Sequence, residues 1–558
     1  MRKGIMNSPL MVLLVAAQVL SSWNLQAQTR RSPLPKDWQL LDYQQDSVYG
    51  TSVDRAYREL LQHKKSHRVI VAVIDSGIDT SQQDLQGHIW VNGGEIPGNN
   101  IDDDHNGYVD DVHGWNFLGG KNGTSLVNAS SEARREYYRL KGKYEHLDSS
   151  QATDPKEWAY WQSLREKVMK DSAKYSMELE RLPMILGILH RVDSTLTLAT
   201  HRDTVEFSDV DSLQTDDPAV VQAKNVALRM YQEVPHGVPF SQIISEGKEE
   251  LTTAQNAMNQ MTMDPNASRR AIVGDDPFNI NDRNYGNGNV AYDTSDAYSM
   301  HGTHVAGIIA AIRNNGIGMD GICDNVVIMT IKAVPDGDER DKDIALAIRY
   351  AVDNGAQIIN MSFGKPYSPQ KSWVDDAVKY AAAHDVLLVH AAGNDGTDND
   401  SVMDYPCPEF LDSTGKADNF IEVGASTSGA DSVEIAASFS NYGKSDVDLF
   451  APGDDIYSTV PGNKYESLSG TSMAAPMVTG IAALILEYYP KLTAVQLHQI
   501  LDESVMKLGN KMVTEPGSDA QVPFSSLCQS DGIVNAYNAL KLAANIKGKR
   551  KKIKRHRD

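Results

Sequence analysis

The chain has 558 residues, 41% of them hydrophobic and 23% charged, a balance that excludes a disordered protein and allows one large domain with additions. Its formal net charge of −21 excludes a nucleic-acid binder, which needs concentrated positive charge to neutralise phosphates. Three cysteines, Cys323, Cys407 and Cys528, permit at most one bridge, so no disulfide framework is expected.

Residues 1–27 read as an export signal. Arg2 and Lys3 precede an apolar run from Leu10 to Leu20, and Ala27 offers a small residue for cleavage. The run is short for a bilayer span, and no later stretch reads as a transmembrane helix. The expectation is therefore an exported protein, periplasmic or extracellular, with no integral membrane span after signal cleavage.

The segment 69–76 (VIVAVIDS) is a continuous apolar run ending in an acid, the pattern of a strand buried on both faces. From 119 to 271 the composition turns charged and helix-favouring, as in SEARREYYRLKGKYEHL. Within it Trp158, Trp161, Leu164 and Val168 fall on one helical face, which predicts a packed stripe. Apolar runs at 326–334, 357–361, 386–389, 421–425 and 447–450 predict further strands, with helices over 341–354 and around 373–383 between them. Residues 478–486, apolar nearly all round, predict a buried helix.

Strands alternating with helices imply a three-layer α/β fold, a mostly parallel sheet flanked by helices, here with a large helical insertion. The expected division is a sheet domain over 28–118 and 272–546, the helical insertion over 119–271, and a basic tail over 547–558. That tail carries eight Lys/Arg against one Asp, +7, which leaves −28 on the remainder. A solvated end is its simplest reading, and electrostatic contact with an anionic surface is the other.

Three short segments carry chemistry: Asp75 within AVIDSGID, His301 opening HGTHVAG, and Ser472 within GTSMAAP. Their chain order Asp, His, Ser is the subtilisin order. On these motifs the sequence resembles the subtilisin-like serine proteases over about 50–118 and 272–540. The resemblance implies a serine endopeptidase with Asp75, His301 and Ser472 as triad, and peptides or proteins as substrates. A serine hydroxyl needs a base to take its proton, and an imidazole needs an acid to fix its tautomer. Asn394, after AAG, is the matching oxyanion donor. Ser362, Phe363 and Gly364, with Ala391, Ala392 and Gly393, match the walls of the peptide cleft. Lys365 stands where the family commonly has a second glycine, and Asp395 beside the cleft suggests a basic P1 side chain. His304 takes a structural role in this pattern.

A second motif, Asp102-Asp-Asp104-His-Asn106-Gly107-Tyr108-Val-Asp110-Asp111, follows the first half of a calcium loop. Oxygen donors stand at positions 1, 3 and 5, glycine at 6, and the Tyr108 carbonyl at 7. Position 12 is His113 and no flanking helices are evident, so a structural calcium loop is expected and a complete EF-hand is not. No Cys/His set has zinc-like spacing. A lipase-type hydrolase is excluded, because GTSMA lacks the second elbow glycine and the triad order is reversed. The remaining alternative is an inactive pseudoprotease that binds proteins through its helical insertion.

Overall fold

The computed structural model describes residues 34–231, 238–261, 263–294, 297–429 and 433–550. The export signal and residues 551–558 of the basic tail lie outside them. Contact density divides the described chain into a sheet unit, Leu34–Glu132 with Asn266 onward, and a helical unit, Ala133–Pro265.

The sheet unit is built on β1 (Val69–Asp75), β2 (Gly114–Asn116), β3 (Val326–Lys332), β4 (Ile358–Met361), β5 (Leu387–Ala391), β6 (Phe420–Ser426) and β7 (Leu449–Pro452). Two hairpins follow, β8 (Ile456–Val460) with β9 (Lys464–Leu468) and β11 (Met512–Thr514) with β12 (Gln521–Pro523), and short strands β10 (Met506–Lys507) and β13 (Gly532–Ile533) complete the set. Nine strands form one sheet in the order β10-β13-β7-β6-β5-β4-β1-β3-β2. Every pairing in it is parallel except β10 with β13 at one edge.

Side-chain alternation explains the layers. Val69, Val71 and Val73 of β1 enter one core, with the helices His301–Ala310 and Thr471–Tyr488. Ala72 and Ile74 enter the other, with the helices Asp341–Asp353 and Lys371–Ala383. Both faces are covered, as a parallel sheet requires. The helix Thr471–Tyr488 is apolar enough to cross a membrane, but 89% of its most apolar window is buried, so that apolarity belongs to the core. It begins before the 478–486 run, with Met473 and Met477 buried among the smaller Ala474, Ala475 and Pro476. Cys323, Cys407 and Cys528 are all free and buried.

Residues 119–132 and 266–271 share the composition of the helical segment yet group with the sheet. Buried ion pairs hold both: Glu132 Oε2 meets Lys365 Nζ at 2.9 Å, and Arg269 meets Asp275 at 2.7 Å and Asp343 at 2.6 Å.

The helical unit contains a 46-residue helix, Pro155–Thr200, capped by Asp154 with Pro155 in its first turn. The helices Phe207–Ser212, Pro218–Met230 and Phe240–Met261 follow it. Its core joins Leu186, Leu189 and Leu196 to Ala227, Tyr231 and Phe240. Of the stripe read from sequence, Trp161, Leu164 and Val168 are buried, and Trp158 packs edge-on to Tyr144 at 5.6 Å.

Candidate active site

Asp75 ends β1 at the carboxyl edge of the sheet, where open α/β sheets gather ligands. Its carboxylate is 2% exposed. Oδ1 accepts from the Ser76 N–H at 2.7 Å and from the Ser76 hydroxyl at 3.2 Å. His301 opens its helix, and its Nδ1 lies 2.9 Å and 3.0 Å from the two Asp75 oxygens. A side chain at position 302 would stand 2.3 Å from the Gly77 carbonyl, so only glycine lets the helix come this close. Burial alone would lower the His301 pKa, but the Asp75 charge and hydrogen bond outweigh it and hold the pKa above its ordinary value.

Ser472 is the second residue of the helix Thr471–Tyr488, whose N-terminus directs partial positive charge outward. Its hydroxyl donates to the Ser362 carbonyl at 3.2 Å. Asn394 follows β5, and its Oδ1 accepts from the Thr471 N–H at 2.8 Å and the Thr471 hydroxyl at 3.0 Å. With the oxygen so engaged, the amide NH₂ is the end left for a ligand. Asp75, Ser362 and Asn394 thus follow or end the adjacent strands β1, β4 and β5 on one edge. His304, three residues beyond His301, is fully buried with Nε2 3.1 Å from the Glu466 carbonyl. Burial depresses its pKa to about 3, so it stays neutral.

A family profile described as the Subtilase family, peptidase S8, matches residues 66–521. The chain belongs to the subtilase family. It is 31% identical over 389 residues to alkaline elastase YaB of Bacillus sp. (strain YaB), covering 69% of this chain and 90% of that one. It is 38% identical over 229 residues to subtilisin DY of Bacillus licheniformis, covering 40% and 78%. An alkaline protease of Alkalihalobacillus alcalophilus is 31% identical over 395 residues, covering 69% and 90%. These relationships make the protein a subtilisin-like serine endopeptidase.

In this subtilase a cleft of about 330 Å³ adjoins Ser472 and Asn394. Ser362, Phe363, Gly364, Ala391 and Gly393 line it. Ala392 does not: it is fully buried among Phe450, Phe524 and Val447 on the other side of the extended segment. His390 supports the wall, its Nε2 2.6 Å from the Phe363 carbonyl and its Nδ1 2.8 Å from Glu422. Lys365 continues the wall through reciprocal 3.0 Å backbone bonds with Tyr405. Its ammonium turns away and is buried on Glu132 and Asp341, so the lysine brings no positive charge to the cleft. Asp395 is exposed at the mouth. Asp404 and Asn441 also line the cleft, and no local motif announces them, because their positions depend on the chain returning beside Gly364 and Gly393.

The acidic loop folds around its own backbone. Asp102 accepts from the N–H groups of Asn106 and Gly107 at 3.1 and 2.9 Å. Asp110 accepts from Gly98 and Asn100 at 2.8 and 2.7 Å. Asp104 and Asp111 instead converge with Glu95, their oxygens all within 4.8 Å of one another. Asn106 Nδ2 bridges Asp104 and Asp111 at 3.3 and 3.1 Å. The Tyr108 ring packs edge-on to Trp115 at 5.0 Å, and its N–H donates to Asn106 at 2.8 Å. Burial pushes the Asp111 carboxyl up to about 6. Glu95 lies before the motif, outside the spacing that marks the loop. Its donor set is hard oxygen throughout, which suits calcium and not zinc.

Proposed function

We propose that this subtilase hydrolyses peptide bonds through an acyl-enzyme, with Ser472 as nucleophile, His301 as general base and acid, and Asp75 as the group that fixes the imidazole. The observation that carries this reading is the His301 Nδ1 held between both Asp75 oxygens, at 2.9 and 3.0 Å. That contact fixes the proton on Nδ1 and leaves Nε2 to take the serine proton and return it to the leaving amine. The developing oxyanion meets the Asn394 NH₂ and the Ser472 N–H at the start of its helix. The backbone of Ser362–Gly364 and of Ala391–Gly393 pairs with an extended substrate as added strands. Incubation with a fluorophosphonate followed by peptide mass spectrometry tests the assignment. Mass added on the Ser472 peptide supports it, and labelling elsewhere with Ser472 unmodified overturns it.

Calcium is the proposed structural cation of the loop. Glu95, Asp104 and Asp111 would hold it by carboxylate oxygens, while Asp102 and Asp110 shape the loop through backbone bonds. Its charge would relieve the repulsion among the three acids. Residues 28–118 and 272–546 are read as the catalytic domain, with the inserted helical segment supported by the compactness of Ala133–Pro265. The N-terminal sequence supports export to the periplasm or beyond the cell.

A further inference from the structure

The cleft beside Ser472 contains an acid that the catalytic reading does not use. Asp404 Oδ1 accepts from the Tyr405 N–H at 3.1 Å. Oδ2 stands 2.5 Å from where a Cβ on Gly364 would lie and 3.0 Å from that of Gly393. The carboxylate therefore occupies the space between the two glycines of opposite walls, and a side chain on either would collide with it. The reciprocal bonds between Lys365 and Tyr405 fix this placement by pairing the two backbone segments.

No cation pairs directly with that acid. Among the described residues no Lys, Arg or His nitrogen makes an ion pair with Asp404, and Lys365 is engaged by Glu132 and Asp341. Asp395 adds a second negative charge at the mouth. Asn441 accepts through Oδ1 from the Asp395 and Thr397 N–H groups, at 3.0 and 3.1 Å. Burial pushes the Asp404 carboxyl up to about 6, against the lowering charge of His390, so it is ionised at neutral pH. A half-buried carboxylate without a cation is costly, and a ligand that supplies one recovers that cost.

We propose that Asp404 determines specificity at this site: its carboxylate, between Gly364 and Gly393, receives the cationic end of a lysine or arginine P1 side chain. This rests on the cleft beside Ser472 being the primary substrate pocket. Asp395 plays the lesser part, because its exposed charge is screened by water.

Two measurements separate this proposal from the catalytic reading. The first compares kcat/KM for tetrapeptide p-nitroanilides ending in Arg, Lys, Phe or Leu, in the native protein and in Asp404→Asn. The native protein should favour Arg and Lys over Phe and Leu. Asp404→Asn, melting at the native temperature, should reduce the Arg-to-Phe ratio at least about 30-fold, the loss expected when one partner of a desolvated ion pair is removed. A native preference for Phe or Leu, or an unchanged ratio in the variant, overturns the proposal. The second uses Ser472→Ala, which needs no catalysis, and the fluorescence of p-aminobenzamidine, a cationic arylamidine. Binding that Asp404→Asn abolishes in this background supports the proposal even if the triad assignment fails. No binding, or equal binding with and without Asp404, overturns it.

Discussion

The Ser362 hydroxyl donates to the Ser472 carbonyl at 2.9 Å. Four residues on, Pro476 lies inside the helix and has no N–H to offer that carbonyl. The serine therefore replaces a missing helix bond at the candidate nucleophile, while its own carbonyl accepts the Ser472 hydroxyl at 3.2 Å. Ser362→Ala should destabilise the protein by about 1–3 kcal/mol, the cost of an unmet buried acceptor. Chemical denaturation reads this directly, and Ser362→Thr should restore part of the loss.

Asn394→Ala should lower kcat by about 10²–10³ with a smaller change in KM, a range taken from the loss of the equivalent donor in a subtilisin. Steady-state kinetics on a peptide amide would check it. A change confined to KM would assign Asn394 to ground-state binding.

The pH dependence of kcat/KM should rise with pH through the His301 pKa, because only the neutral imidazole accepts the serine proton. The Asp75 charge favours the protonated form, so the rise should centre above the ordinary value of 6.5. Asp75→Asn removes that charge and should move the rise to lower pH, with a fall in kcat of about 10⁴-fold. A rise centred below 6.5 in the native protein would contradict the Asp75–His301 relationship.

Calcium should raise the melting temperature and a chelator should lower it, by mass action on the folded state. Burial places the Asp111 pKa in the folded protein at about 6, above its ordinary 3.8. Without metal, that group stabilises the fold below pH 3.8, and the contribution is lost as pH rises through 6. Calcium needs the carboxylate form, so its stabilising effect should be largest above pH 6 and fade below it. Asp111→Asn should remove most of the calcium response, and scanning calorimetry at two pH values would show both effects.

Much of this architecture is legible in sequence. VIVAVIDS announces a strand buried on both faces because its apolar residues serve two cores, and Asp75, His301, Ser472 and Asn394 each sit in short motifs tied to strand ends or helix starts. Asp404, Glu95 and the burial of Lys365 are not legible, since each depends on segments that meet only after folding. Lys365 reads from sequence only as a departure from the family's second glycine, and its four-carbon stem carries the ammonium to Glu132 and Asp341. Arg269 likewise reads only as part of the charged, helix-favouring segment.

That arginine is 2% exposed and holds Asp275 and Asp343 together, while Lys342 meets Asp275 at 2.7 Å and the Tyr285 hydroxyl meets Asp343 at 2.6 Å. Arg269→Ala leaves two buried carboxylates with too few donors, and should cost about 3–5 kcal/mol of stability. Urea denaturation would measure it, and a loss under 1 kcal/mol would show that water readily replaces the guanidinium.

The most direct test of the account compares casein hydrolysis by the purified protein and by Ser472→Ala, prepared identically. The triad predicts robust cleavage by the first and a loss of several orders of magnitude in the second. Equal activity in the two samples would contradict it.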